Sequence, residues 1–223
     1  MMATANSMRD TVLRDISNAV RSVPQASRDD LDAQFGRILM DETPRPVVDG
    51  VLVDRFVQKH EAVHGTVSIV KTYAQVPVRV QAFLDLYELP PNIVMSSTDD
   101  LARLDWPAGW QIARRTAQKS DVVGVTGVMC AIAETGTLVV TSSPQVSSTH
   151  LYLPENHIAI FDAGQIVRHL EDALSFCSES VIRQSRGIHM ITGPSKTADV
   201  EQTIQYGAHG PRRLHAIIVD GSA

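Results

Sequence analysis

The sequence predicts an α/β protein: a three-layer α/β/α sandwich on a mostly parallel sheet, plus an N-terminal helical arm. Three observations predict it. From Gly65 onward, short β-branched runs alternate with helix-period runs. The strand runs are apolar almost throughout, as strands covered on both faces are. Residues 1–50 follow a different, arm-like pattern. With 223 residues and 43% hydrophobic content, the chain is long enough to bury one large core.

Residues 5–42 read as two short amphipathic helices separated at Pro24. Leu13, Ile16 and Val20 form the stripe of one, and Leu31, Phe35, Ile38 and Leu39 that of the next. The prolines and turn formers from Asp41 to Gly50 mark a linker. Residues 1–50 are therefore expected to be an arm and linker that packs on the core or on a partner, and residues 51–223 the α/β domain. A helix is expected over 51–64, a strand at 66–71, a helix over 76–88 carrying Val80, Phe83, Leu84 and Tyr87, and a strand at 92–97. Residues 99–118 are ambiguous, because Pro107 and Gly109 break any helix; Trp106 and Trp110 read as packing residues. Strands follow at 121–127, 137–142 and 157–162. A helix over 164–180 has Ile166, Val167, Leu170, Leu174 and Cys177 at helical spacing. A strand at 188–192, a helix over 195–206 and a strand at 214–220, expected beside the first strand, close the chain.

Composition excludes several classes. The net charge is −5, and no basic run suggests a nucleic-acid face. Cys130 and Cys177 are the only cysteines, too few for a disulfide framework, a four-thiolate iron-sulfur cluster or a Cys₄ zinc site on this chain. A reducing, cytoplasmic setting is the expectation. No stretch approaches the apolar length of a membrane span.

In parallel sheets ligands bind beyond the carboxyl ends of the strands, so the loop after each strand is where chemistry is sought. In "ITGPSKTADVE" (191–201), Val200, Thr203, Ile204 and Gly207 recur at helical spacing after the Lys. If that run is a helix, the N–H groups of Ser195, Lys196 and Thr197 and the Lys196 ammonium favour a phosphate or carboxylate. Asp199 and Glu201 can satisfy the same helix start unaided, so cap and anion site stand as equal readings. Only Gly193 precedes the Lys and Pro194 lacks an amide donor, so this is no Walker A loop. "CAIAETGTLVV" (130–140) sets Glu134 in an apolar stretch. There it is either a partly buried acid, base or nucleophile, or part of a turn in which Gly136 takes a positive φ and the carboxylate meets water. "GVTG" (124–127) offers close backbone approach.

His60 and His64 share a helix face at i, i+4 without a third ligand, and read as a surface pair rather than a metal site. His150, His157 and His209 lie in loop or strand-edge positions. Ser142, Ser143, Ser147 and Ser148 form a polar loop without a nucleophile elbow. Arg212 and Arg213 read as solvated.

The ordered blocks "VGVTG", "AIAETGT", "LPENHIAI", "ITGPSKTADVE" and "GAHGPRRLHAIIVD" resemble the lactate-utilization C protein family, also called the LUD-domain family. The likeness is close over 120–220 and architectural over 50–120. It implies a fold like that of glucosamine-6-phosphate deaminase, ribose-5-phosphate isomerase and the CoA-transferases. It also implies a role in oxidising L-lactate to pyruvate alongside two iron-sulfur partner proteins, which would hold the redox chemistry. The resemblance maps Glu134, Thr135, Gly136 and Thr137 as one conspicuous loop, similar in place to the one that carries the CoA-transferase glutamate. Gly193, Pro194, Ser195, Lys196, Thr197 and Asp199 form the other, with His157, His209 and Gly210 close by. Family members often carry a basic residue shortly before the Leu-Pro-x-x-His block, where this chain has His150.

Two functions are expected to compete. One is a non-redox, ligand-binding subunit or accessory protein of an iron-sulfur L-lactate oxidation system, with a small anionic ligand, no cluster of its own and a cofactor the sequence does not name. The other is an acyl-CoA or phosphorylated-substrate enzyme, with Glu134 as nucleophile or base and Lys196 as anion clamp. The proposed site requires the glutamate turn and the lysine turn to open onto one hollow at the same rim of the sheet.

Overall fold

The computed structural model describes residues 2–22, 45–176, 185–197 and 205–221. The chain divides into two compact units, Met1–Arg45 and Pro46–Ala223. In the first, helix α1 spans Met2–Ser22, and Met8, Val12, Leu13 and Ile16 on it are exposed. The second arm helix expected around Leu31 to Leu39 lies outside the described residues.

The second unit is built on a six-stranded sheet in which every neighbouring pair is parallel. Its strands are β1 (Thr66–Val70), β2 (Asn92–Met95), β3 (Gln111–Ala113), β4 (Val123–Gly127), β7 (Asn156–Asp162) and β12 (Arg213–Val219), in the order β1-β12-β7-β4-β2-β3. The last strand does lie beside the first, as the sequence predicts. Side chains alternate between faces along each strand, and both faces are covered. On one face Ile158, Ile160, Ile217 and Val125 pack against Val76, Val80, Phe83 and Leu84 of helix α3 (Val76–Leu86) and Leu101 of helix α4 (Asp99–Ala102). On the other, Ala159, Phe161, Ala216 and Ile218 meet Phe56 of helix α2 (Leu52–Ala62). This is the three-layer α/β arrangement expected. Local chemistry sets the start of α3: Thr72 and Gln75 form a capping box at the preceding 3₁₀ turn, Tyr73–Gln75, and a proline sits in the first turn of the helix.

The second cover contains more than helices. Strands β5 (Cys130–Ile132), β6 (Thr137–Ser142), β8 (Ile166–Val167) and β9 (Gly187–Ile191) form a separate sheet in the order β8-β5-β6-β9. Strands β5 and β6 are antiparallel, as are β6 and β9. Ala131, Leu138 and Val140 join the core above Phe161. The outer side, with Cys130, Ile132 and Val139, is covered by Ala173 of helix α6 (Leu170–Phe176). Alternation of strand and helix runs puts β6 and β9 in the parallel sheet, and the structure does not. The reason is connection length: residues 133–136 join β5 to β6, whereas a parallel crossover needs about a dozen residues or more.

Two helices also differ. The run from 164 begins as a 3₁₀ turn, Ala163–Gln165, then β8, and only then α6. In place of a helix from 195, β10 (Lys196–Thr197) pairs antiparallel with β11 (Gln205–Tyr206), and residues 198–204 lie outside the described residues. Main-chain bonds hold that segment down: Ser195 N–H donates to Pro211 O at 2.8 Å and Gly207 N–H to Ser195 O at 2.9 Å. Trp106 and Trp110 stack with centroids 5.5 Å apart and pack on the core, as predicted. Between them and β7, Thr149–Tyr152 forms the short helix α5. Among the described residues no helix is long and apolar enough to cross a membrane.

Candidate functional site

Both sequence-predicted turns press a glycine onto the end of α2. Gly136 has φ +70, and a Cβ there would collide with the backbone of Lys59 and His60. The His60 Nδ1–H donates to Gly136 O at 2.9 Å. Gly193 has φ +80, and its Cβ would meet the Val63 carbonyl. A chain of hydroxyls ties the turns together: Thr135 Oγ1 is 2.6 Å from Thr137 Oγ1, which is 2.7 Å from Thr192 Oγ1. The two turns therefore share a rim, as expected.

It is not the carboxyl rim. Helix α2 leads into the start of β1, and Ser195 bonds Pro211 just before β12, so both turns sit at the amino ends of the parallel strands. The expectation fails because β9 belongs to the second sheet and runs antiparallel to β6.

Of the predicted ligand residues, Gly193, Ser195, His209 and Gly210 line one hollow of about 260 Å³, floored by the buried Leu151 and Leu214. His209 N–H donates to Ser195 Oγ at 3.4 Å. Glu134, Thr135, Gly136, Thr137, His157, Lys196 and Thr197 are not part of that lining, so the two turns share a rim but do not open onto the one hollow expected of them. Glu134 faces a histidine: its Oε2 is 2.9 Å from His169 Nδ1, with side-chain exposures of 23% and 11%. The turn reading is right about the positive φ of Gly136, but the carboxylate is paired with His169 rather than left to water. Lys196 is exposed and, with Thr197, has the backbone geometry of a strand, so the helix-start amides proposed for an anion do not exist there.

The histidines divide by burial. His157 is wholly buried in β7, with Nε2 2.8 Å from Thr126 Oγ1, and burial, assisted by His150, pushes its pKa down to about 4. His60 is buried rather than on the surface, stacks on Phe56 at 5.1 Å, and burial lowers its pKa. His215, 2.7 Å from Thr66 Oγ1, is also lowered to about 4 by burial and then by His60. His150 is buried, with its ring nitrogens 3.0 Å from Ser147 O and 2.8 Å from Arg115 O, so it braces loops rather than facing the hollow. Arg212 is exposed, 3.7 Å from Glu155, whereas Arg213 is half-buried, donates to Asn156 Oδ1 at 3.0 Å and lies 4.4 Å over the Tyr87 ring. No group of three or more His, Cys, Asp or Glu among the described residues is arranged to hold a metal ion.

Sequence reasoning missed three arrangements. His169 is one, 35 residues from Glu134 with no local pattern to link them. A second is a relay beside the hollow: Ser148 Oγ is 3.1 Å from His189 Nε2, and the Tyr152 hydroxyl, on the hollow's wall, is 2.8 Å from His189 Nδ1. The third is a cavity of about 230 Å³ at the carboxyl ends of the parallel strands, reached by Gly127 at the end of β4, Tyr73, Asp100 and Gln165. Only "GVTG" pointed toward it. There the Tyr73 hydroxyl donates to Asp162 Oδ2 at 2.6 Å, and burial first, then Asp162, raises the tyrosine's pKa.

A doubly covered parallel sheet carrying a small second sheet and a glycine-tightened double turn defines the class, and comparison places the chain within it. The model of the LUD domain matches residues 52–219, so this chain belongs to the LUD-domain family. It is 39% identical over 93 residues to an uncharacterized protein of Neisseria meningitidis, covering 41% of this chain and 39% of that protein. It is 31% identical over 112 residues to lactate utilization protein C of an Exiguobacterium species, covering 49% of this chain and 48% of that protein. The matched stretch thus spans about half or less of these relatives' lengths. A crystal structure of a DUF162 family protein from Deinococcus radiodurans shares the fold, with TM-score 0.56 and 19% identity over 78% of this chain and 99% of that one.

Proposed function

We propose that this chain is a non-redox, ligand-binding component of an L-lactate utilization system, working in the cytoplasm alongside iron-sulfur proteins, and that its ligand is a small anion. The observation that carries the reading is the hollow at the amino rim, where Gly193, Ser195, His209 and Gly210, from two separate sequence blocks, converge over an apolar floor. A small carboxylic acid suits such a site: its carbon end rests on Leu151 and Leu214 while Ser195 and His209 meet the carboxylate. The name of the Exiguobacterium relative supports the lactate setting. Two cysteines are too few for a four-thiolate cluster, which supports placing the electron transfer on other chains.

Calorimetric titration with L-lactate and pyruvate tests the ligand, with heat of binding expected for the parent and a loss of about tenfold or more in affinity for Ser195→Ala with His209→Ala. Affinity unchanged by the double variant would remove the hollow from the account. Co-purification from lactate-grown cells tests the partners, and tagged chain that never recovers an iron-containing protein would refute that part.

The Glu134–His169 contact at 2.9 Å favours a second reading, an acyl-CoA or phosphorylated-substrate enzyme in which the histidine orients the glutamate. Glu134→Gln should then abolish turnover of any substrate found, and unchanged turnover would take Glu134 out of the chemistry.

A further inference from the structure

The cavity at the carboxyl rim has a chemistry opposite to that of the amino-rim hollow. Two of its polar side chains are engaged inside the protein, whereas the Thr98 hydroxyl, also in the lining, is buried without a hydrogen-bond partner. The Tyr73 hydroxyl donates to Asp162 Oδ2 at 2.6 Å. The Gln165 amide donates to Val128 O at 2.7 Å and Met129 O at 3.0 Å, while its carbonyl accepts the Asp162 N–H at 2.7 Å. What the polar side offers a visitor is the Asp100 carboxylate, the tyrosine oxygen and the Thr98 and Thr141 hydroxyls, all able to accept, with the Asp162 carboxylate behind the tyrosine. The lining contains no Lys, Arg or His to balance an anion. Opposite the acceptors, Leu101, Val140, Val146 and Ile160 form an apolar wall. Gly127 ends β4 at the cavity, and a Cβ built on it would approach nothing closer than Thr98 Oγ1 at 3.6 Å, so the strand end leaves room there. The position, beyond the carboxyl ends of parallel strands, is where α/β sheets take their ligands.

We propose that this cavity is a second ligand site, for a small primary amine with a compact apolar body. The ammonium donates to these oxygens, the unpartnered Thr98 hydroxyl among them, and sits between Asp100 and the Tyr73–Asp162 pair, while the carbon portion lies on Leu101 and Val140. Carboxylates and phosphates are disfavoured, because they would face the Asp100 carboxylate, with Asp162 behind the tyrosine, and no cation in the lining. The site is independent of the lactate reading and stands or falls separately from it.

Three shape-matched probes decide the matter on the full chain: isoamylamine, isoamyl alcohol and isovalerate, each titrated while the methyl resonances of Leu101, Val128 and Val140 are followed. The amine is expected to shift these signals saturably and the acid to leave them unmoved, with the alcohol weaker than the amine. Asp100→Asn, at an exposed position, should weaken the amine about tenfold without changing the melting temperature. Tyr73→Phe provides the second variant and should also weaken it. Isovalerate binding as well as the amine, the amine failing to move the three residues, or amine affinity unaltered in both variants would each overturn the proposal.

Discussion

The two rims of the parallel sheet are built from opposite materials. At the amino rim, two turns are locked onto α2 by glycines with no room for a side chain, and hydroxyls and histidines fill the space between. At the carboxyl rim, a Cβ on Gly127 would meet only ordinary contact, and the polar groups are carboxylates, threonine hydroxyls, a glutamine and a tyrosine that already donates to Asp162. The first rim is tightly packed around its turns, and the second carries a carboxylate and hydroxyls with no cation in its lining.

Acid should break this contrast most severely. His157 and His215 sit near the amino ends of β7 and β12, and each is held neutral by burial, with a pKa near 4 against an ordinary 6.5. A depressed folded-state pKa contributes stability above the unfolded value that is lost as pH falls through the folded one. Each histidine should therefore cost about 3 kcal/mol as pH falls from 6.5 to below 4. Urea unfolding across that window measures the loss, and hydrogen exchange should open the amino rim before the carboxyl rim. Stability that is flat from pH 7 to 4 would show that these rings are not held neutral.

Glycine replacement sharpens the comparison. Gly136→Ala forces a left-handed backbone onto a residue with a Cβ and drives it into α2, for a cost of about 3 kcal/mol. Gly127→Ala meets only ordinary contact and should stay within about 1 kcal/mol of the parent. Equal losses in chemical denaturation would mean that the two rims are equally tight. The smallest effect is expected from Thr137→Val, which removes the middle of the hydroxyl chain and should cost about 1 kcal/mol by the same assay.

Much of this architecture can be read from local pattern. Residues 137–142 form a strand with the bounds that periodicity predicts, and β1, β7 and β12 fall within a residue or so of theirs. What local pattern does not carry is sheet membership: β6 is as apolar as β7 yet pairs antiparallel in another sheet. The short Ala133–Gly136 connection was the available signal. At Lys196 the start of the expected helix gives way to a strand, since Ser195 bonds a carbonyl at residue 211 that no nearby pattern announces, while the helical spacing itself falls mainly on residues 198–204, outside the described residues. The same distance hides the partners of the candidate site. Gly136 is legible as a turn, but its fit to His60 spans 76 residues, and nothing in "AETGT" points to His169. The carboxyl-rim cavity was legible only as far as "GVTG", because Tyr73, Asp100 and Gln165 come from three separate connections and join only when the strands align.

The most direct measurement is an amide NMR titration of the full chain with L-lactate. The amino-rim account predicts saturable shifts at Gly193, Ser195, His209 and Gly210, with Gly127, Tyr73 and Asp100 unmoved. Shifts confined to the carboxyl-rim residues would contradict it.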